Sequence, residues 1–348
     1  MRTTTAWQGT GQSTTLQRAS IERRDLRDDD IAVRIDYCGV CHSDLHALHG
    51  MTGKPTAGMV PGHEFTGTVT AVGPAVTGFT PGDRVAAGTI VDSCGECAMC
   101  RIGQENFCYQ GATVTYGGAD RIDGTTTLGA YSREYVLRAK FAYLLPEGLD
   151  PAAAAPLMCA GITMWEPLRA AGIGAGSQVA VAGLGGLGHL GVKLAAALGA
   201  EVTVLSRTPD KAEDARKLGA AALLVTTDEA QMKEAFGRFD LILDTIAAVH
   251  DLSPLLRLLA MEGTLSVLGA PLETKVRLMD LTFGRKNLSS SGTGGTKHTA
   301  ELLTFAAEHN IAADVEVLPS AQVQEALGRL EKGDVRYRFV LDMSDLDS

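Results

Sequence analysis

Between residues 178 and 268 short apolar runs alternate with helical patterns. The runs are Val179-Ala180-Val181-Ala182, Val202-Thr203-Val204-Leu205, Ala222–Val225, Leu241-Ile242-Leu243 and Leu265-Ser266-Val267-Leu268. Helical patterns extend from the first run to Leu198 and over 209–218 and 251–260. A strand that is apolar on both faces must be covered on both faces, and strands joined by helices run parallel. The pattern therefore predicts a doubly wound α/β sheet.

The first run leads into Gly183-Leu184-Gly185-Gly186-Leu187-Gly188, which opens the next helix. Glycines after a strand and before a helix let the backbone approach a pyrophosphate, and the amides at the helix start receive it. This is the context of a Rossmann dinucleotide site. The second run ends in Ser206 and Arg207, with Lys211 one turn on. A carboxylate near this point would bind the ribose 2′-hydroxyl of NAD. A hydroxyl and cations suit a 2′-phosphate instead, so NADP is the expected coenzyme.

The flanking sequence has a different rhythm. Ile31, Val33, Ile35 and Tyr37 alternate as in a half-buried strand. Residues 64–91 are rich in Thr, Val and Gly and broken by Gly-Pro and Pro-Gly steps, which predicts short antiparallel strands. The last segment carries helical patterns at 298–309 and 321–331, then alternating Tyr337, Phe339 and Leu341. It is expected to return to the first domain. A length of 348 residues suits two domains.

Seven cysteines fall at 38, 41, 94, 97, 100, 108 and 159. An odd count argues against a disulfide framework. With no apolar leader at the N-terminus, it points to a reducing cytoplasm. Four of the seven, Cys94, Cys97, Cys100 and Cys108, lie within fifteen residues. Four soft thiolates with two-residue spacers suit a closed tetrahedral zinc or an iron–sulfur centre. Cys41, His63 and Cys159 would together make a Cys2His set with a fourth position free, as at a catalytic zinc. Cys38 is left as a core residue.

A net charge of −10 argues against nucleic acid as a partner, and no run of eighteen apolar residues predicts a membrane span. The expected partner is a small-molecule substrate.

Several motifs in one order carry a family resemblance. They are GVCHSDLH at 39–46, PGHE at 61–64, GDRV at 82–85, the four-cysteine lobe, LMCAGIT at 157–163, GLGGLGH at 183–189 and DVRYRFV at 334–340. Over nearly its whole length the chain resembles the zinc-dependent medium-chain alcohol dehydrogenases, within them the cinnamyl-alcohol-dehydrogenase-like branch.

The resemblance implies a mainly antiparallel, GroES-like catalytic domain over 1–159 and 296–348, with a structural-zinc lobe at 94–108. It implies a Rossmann NADP-binding domain over 160–295 and two zinc ions per subunit. Cys41, His63 and Cys159 would hold the catalytic zinc, with Glu64 able to approach the metal and Asp44 orienting the ligand histidine. Ser43 would pass a proton through the nicotinamide ribose to His46. Thr163, the Leu268-Gly269-Ala270 turn and Ser291-Gly292-Thr293 would line the nicotinamide side, with His42 and Arg336 near the coenzyme phosphates. The implied reaction is hydride transfer between NADP(H) and a primary alcohol or aldehyde, in a cytoplasmic homodimer or homotetramer. A tryptophan that the plant lignin enzymes carry after the fourth lobe cysteine is missing from Cys108–Tyr116, which argues for a broad aldehyde range. An NAD-dependent alcohol or polyol dehydrogenase of the same superfamily is the alternative. A zinc-ribbon binding module is the remote one.

Overall fold

Two antiparallel strands, β1 (Arg2–Gly9) and β2 (Leu16–Arg23), begin the chain and pair from Arg2 with Arg23 to Gly9 with Leu16. The computed structural model describes residues 1–50, 56–269 and 273–347. The next strand, β3 (Asp30–Val40), is the spine of the first unit. Ile31, Val33 and Ile35 point into the core, as their alternation predicts. A bulge opposite β4 (Phe65–Val72) between Ile35 and Tyr37 then shifts the register. Beyond it Cys38 and Val40 are buried while Tyr37 is only half-buried. One extra residue reverses the faces of a strand, and the strand delivers Cys41 at its end.

The other strands here are β5 (Arg84–Ala87), β6 (Ile90–Asp92), β7 (Thr113–Val114), β8 (Glu134–Arg138) and β9 (Ala142–Leu144). β4 and β5 are antiparallel to their neighbours, as the Gly-Pro and Pro-Gly breaks suggest.

The second unit contains β10 (Gln178–Ala182), β11 (Glu201–Ser206), β12 (Ala222–Val225), β13 (Phe239–Asp244), β14 (Leu259–Val267) and β15 (Asn287–Ser289). All are parallel, in the order β12-β11-β10-β13-β14-β15. This is the doubly wound order whose reversal lies between the first and fourth strands, where dinucleotides bind at the strand ends. The helix expected over 251–260 is shorter, Ser253–Leu258, and β14 begins at once with Leu259. A continuous apolar run reads equally as buried helix or buried strand.

The chain then returns to the first unit. A helix over Thr296–Glu308 precedes β16 (Val315–Pro319), and a second over Val323–Glu331 precedes β17 (Arg338–Asp342). β17 pairs antiparallel with β3 and parallel with β16, completing a sheet ordered β16-β17-β3-β4-β5-β9 with β8 also on β3. By contacts the two units are Met1–Cys159 with Gly295–Ser348, and Ala160–Gly294. No helix among the described residues is long and apolar enough to cross a membrane.

Candidate functional site

Cys41 follows β3 and caps the helix His42–His49. His63 lies just before β4, and Cys159 ends a 3-10 turn over Ala155–Met158. Three distant segments thus bring two thiols and an imidazole together, with one donor atom from each within 4.8 Å of the others. The sulfurs are 3.9 Å apart, and His63 Nε2 is 3.2 Å from Cys159 Sγ. Zinc–sulfur bonds near 2.3 Å at tetrahedral angles put ligand sulfurs about 3.8 Å apart. The donor set fits one divalent ion and leaves a fourth direction for an outside oxygen. The Cys159 thiol beside it pushes Cys41 well below the ordinary thiol range, toward the thiolate that ligates metal.

Asp44 organises this cluster from beneath and is fully buried. Its Oδ1 lies 3.0 Å from His63 Nδ1 and accepts the Gly62 N–H at 2.9 Å. Its Oδ2 accepts the Cys41 N–H at 3.0 Å. Bonding to Nδ1 aims Nε2 at the metal position, as carboxylate partners of ligating histidines do. Tyr116 packs edge-on against the His63 ring at 5.6 Å.

Glu64 is also fully buried, and its Oε1 accepts from Arg338 Nη2 in β17. Gly39 makes this possible, because a Cβ there would overlap the Glu64 carboxyl. Burial lifts Glu64 to about 7 against the pull of the guanidinium. Its Oε2 and Arg338 Nε have no hydrogen-bond partner, so the pair is bonded through one oxygen only. Arg336, expected near the coenzyme phosphates, is exposed in the bend before β17. Arg338, two residues on, is the buried arginine at this cluster, a partner no sequence motif signalled.

Ser43 and His46 are exposed on one face of the helix His42–His49, and His42 is exposed beside them. Ser43 Oγ is 3.7 Å from Cys41 Sγ. The Ser43 hydroxyl thus lies beside the metal cluster, with the His46 imidazole one turn away on the same exposed helix face.

The cysteine lobe is built locally. Cys97 N–H donates to Cys94 Sγ at 3.4 Å, and Cys100 Sγ is 3.5 Å from Cys97 and 3.8 Å from Cys94. Cys108 joins them within 4.8 Å. A backbone bond from Cys100 draws Cys97 down to about 6, whereas burial pushes Cys100 up to about 11. Four sulfurs occupy every tetrahedral position, so the lobe can hold an ion but offers no place for a substrate.

In the second unit the glycine turn closes the C-terminal end of β10. Gly183 has φ +92 and packs on Thr245, and Gly188 abuts the Gly183 carbonyl so closely that a Cβ would not fit. A Cβ at Gly185 would meet no protein atom and would project into an open cradle. Leu184 and Leu187 flank that cradle, and Gly186 precedes the helix Gly188–Ala197. Lys211 Nζ reaches back to the Leu184 carbonyl at 3.2 Å, placing a cation beside it. Ser206 ends β11 and Arg207 is exposed next to it.

Leu268 and Gly269 donate to the Asp244 carbonyl, and a Cβ on Gly269 would strike the Ile246 backbone. Ala270 lies outside the described residues. Thr163 Oγ1 donates to the Gly292 carbonyl at 3.0 Å, which brings helix Ala160–Ala170 to the 291–293 segment with Thr293. Ser291 Oγ is enclosed without a protein hydrogen-bond partner, as suits a group meant for a ligand. These features fit a dinucleotide.

Comparison with known proteins agrees with this architecture. Residues 27–147 match the alcohol dehydrogenase GroES-like domain, and 186–308 match the zinc-binding dehydrogenase family. The chain is 45% identical to a probable formaldehyde dehydrogenase of Bacillus subtilis, covering 95% of each. It is 43% identical to NADP-dependent alcohol dehydrogenase C of Mycobacterium tuberculosis, covering 99% of this chain and all of that one. Among solved structures, a cinnamyl alcohol dehydrogenase from Sorghum bicolor superposes with a TM-score of 0.94 at 41% identity, covering 98% of each chain. A Helicobacter pylori relative complexed with NADP(H) gives 0.91 at 31% identity, also over 98% of each. With the Cys2His cluster, the four-cysteine lobe and the glycine turn in their expected units, the chain belongs to the zinc-dependent medium-chain alcohol dehydrogenases, in the cinnamyl-alcohol-dehydrogenase-like branch.

Proposed function

We propose that the protein is an NADP-dependent alcohol dehydrogenase that interconverts primary alcohols and aldehydes over a broad aromatic and aliphatic range. The observation that carries this reading is the buried Cys41–His63–Cys159 cluster with one direction free. Residues 1–159 and 296–348 act as the catalytic, metal-binding domain, and 160–295 as the coenzyme domain. Zinc bound at the cluster supplies Lewis acidity toward a substrate oxygen. NADP, when bound, would be the hydride acceptor, and the glycine turn would hold it with Ser206, Arg207 and Lys211 toward its 2′-phosphate. Thr163, Leu268, Gly269, Ser291, Gly292 and Thr293 would line the nicotinamide, and His42 and Arg336 would neutralise phosphate charge.

The chain's own side chains do the remaining work. Asp44 fixes the His63 tautomer and ring direction. Glu64, tethered by Arg338, keeps a carboxylate within reach of the metal position during ligand exchange. In oxidation Ser43 Oγ would accept the substrate hydroxyl proton as it gives up its own toward His46, by way of the nicotinamide ribose, and His46 would pass a proton to solvent. In reduction the same path runs backward. Cys94, Cys97, Cys100 and Cys108 hold a second, structural zinc.

The subunits associate as a homodimer or homotetramer. Supporting this, edge strand β15 exposes all three side chains, and Met261, Leu278, Met279 and Phe283 lie exposed in the same unit. Exposed apolar groups and an unprotected sheet edge favour association. The unpaired thiols support a cytoplasmic setting.

The test is a panel of aldehydes assayed with NADPH and with NADH. A preference for NADPH of about tenfold or more in kcat/KM is expected, reversed or abolished by Ser206→Asp, whose carboxylate repels a 2′-phosphate. Equal use of both coenzymes, unchanged by Ser206→Asp, would refute the coenzyme assignment.

A further inference from the structure

Tyr131 lies 87 residues from Asp44 in the chain, and the fold brings its hydroxyl onto that carboxylate beneath the candidate metal cluster. It is fully buried. Its backbone N–H donates to the Pro61 carbonyl at 2.8 Å, and its neighbours Gly129 and Ala130 donate to Val60 and Gly62. The segment that presents His63 is therefore laced to the Tyr131 segment by three backbone bonds. The ring rests on Gly62, whose φ is +97 and where a Cβ would come within 2.6 Å of Tyr131 Cδ1. The hydroxyl donates to Asp44 Oδ2 at 3.2 Å.

That last bond has a consequence for His63. Asp44 Oδ1 holds Gly62 N–H and His63 Nδ1, while Oδ2 holds Cys41 N–H and Tyr131 Oη. A carboxylate can pivot about its own axis, and donors on both oxygens stop the pivot. Phenylalanine would fill the same core volume, so packing alone gives the hydroxyl no purpose. A buried hydroxyl is costly unless it is bonded, and here it is bonded to the carboxylate that aims the ligand histidine.

We propose that Tyr131 is a positioning residue for the catalytic metal, acting through Asp44 to keep His63 Nε2 aimed at the ion. The inference rests on the reading that Cys41, His63 and Cys159 hold that ion. Replacing a direct partner of a ligating histidine weakens metal binding about 10- to 100-fold. Tyr131 acts one bond further away, so the expected effect is smaller, about three- to tenfold.

The experiment follows zinc release from the full-length, zinc-loaded protein into a chromophoric chelator. Release from the catalytic site is the phase missing in Cys159→Ala. In Tyr131→Phe that phase should be three to ten times faster, with the lobe phase unchanged. In an Asp44→Asn background the same substitution should add nothing, because the pathway runs through the carboxylate. An unchanged catalytic phase overturns the proposal. So does equal acceleration of both phases, or an undiminished effect in Asp44→Asn, since each marks general loosening of the core. If Cys159→Ala loses no phase at all, the metal assignment itself fails instead.

Discussion

The two cysteine clusters use the same ligand chemistry in opposite ways. The lobe gathers Cys94, Cys97, Cys100 and Cys108 within one short loop, aided by N–H···S bonds between residues three apart. Two of its sulfurs belong to residues that are only half-buried. The other cluster draws Cys41, His63 and Cys159 from segments separated by up to 118 residues, and a buried carboxylate sets its geometry. A local, closed site orders its own loop. A long-range, open site depends on the whole sheet, and it alone has a direction left for substrate. The two assemblies thus differ in what they can do: four local sulfurs can close around an ion, whereas three long-range donors leave one direction free.

The contrast breaks most visibly at Cys159. Cys159→Ala should reduce turnover by about a thousandfold or more while NADPH affinity, read by fluorescence titration, stays within about twofold, because the open metal carries much of the barrier lowering. Asp44→Asn should weaken zinc binding at the Cys2His site about 10- to 100-fold and leave lobe zinc in place. Metal content after dialysis against a graded chelator distinguishes the two sites. His46→Gln should slow alcohol oxidation about tenfold near neutrality, with the rate then rising as pH rises because water and hydroxide must replace the imidazole. An unchanged pH–rate profile would remove His46 from the proton path. Cys97→Ser should have the smallest effect on turnover per folded molecule, under about twofold, yet lower the thermal midpoint by roughly 10 °C, since metal binding energy is folding energy. A lobe variant that keeps its midpoint and loses turnover would invert the comparison.

The local features were legible before any coordinates. The glycine turn, the apolar parallel strands and the lobe all state themselves within one short window of sequence, where spacing dictates geometry. The register shift in β3 was not legible, because the alternation Ile31, Val33, Ile35 continues formally to Tyr37. The early start of β14 was hidden in a run of leucines that suits helix and strand alike. The partnership of Glu64 with Arg338 joins residues 274 apart, so no local pattern separates Arg338 from Arg336. Tyr131 was missed for the same reason: an aromatic in a buried segment looks like packing until its hydroxyl is seen on Asp44. Cys41, His63 and Cys159 could be grouped from sequence despite their separation because family motifs surround each one, and the fold does bring the three donors together.

Zinc content per chain, measured together with turnover, tests the central claim most directly. The wild-type protein should carry two zinc ions, one for each cluster, and Cys159→Ala should carry one and be inactive. A Cys159→Ala protein that retains two zinc ions and near-normal turnover would contradict the account.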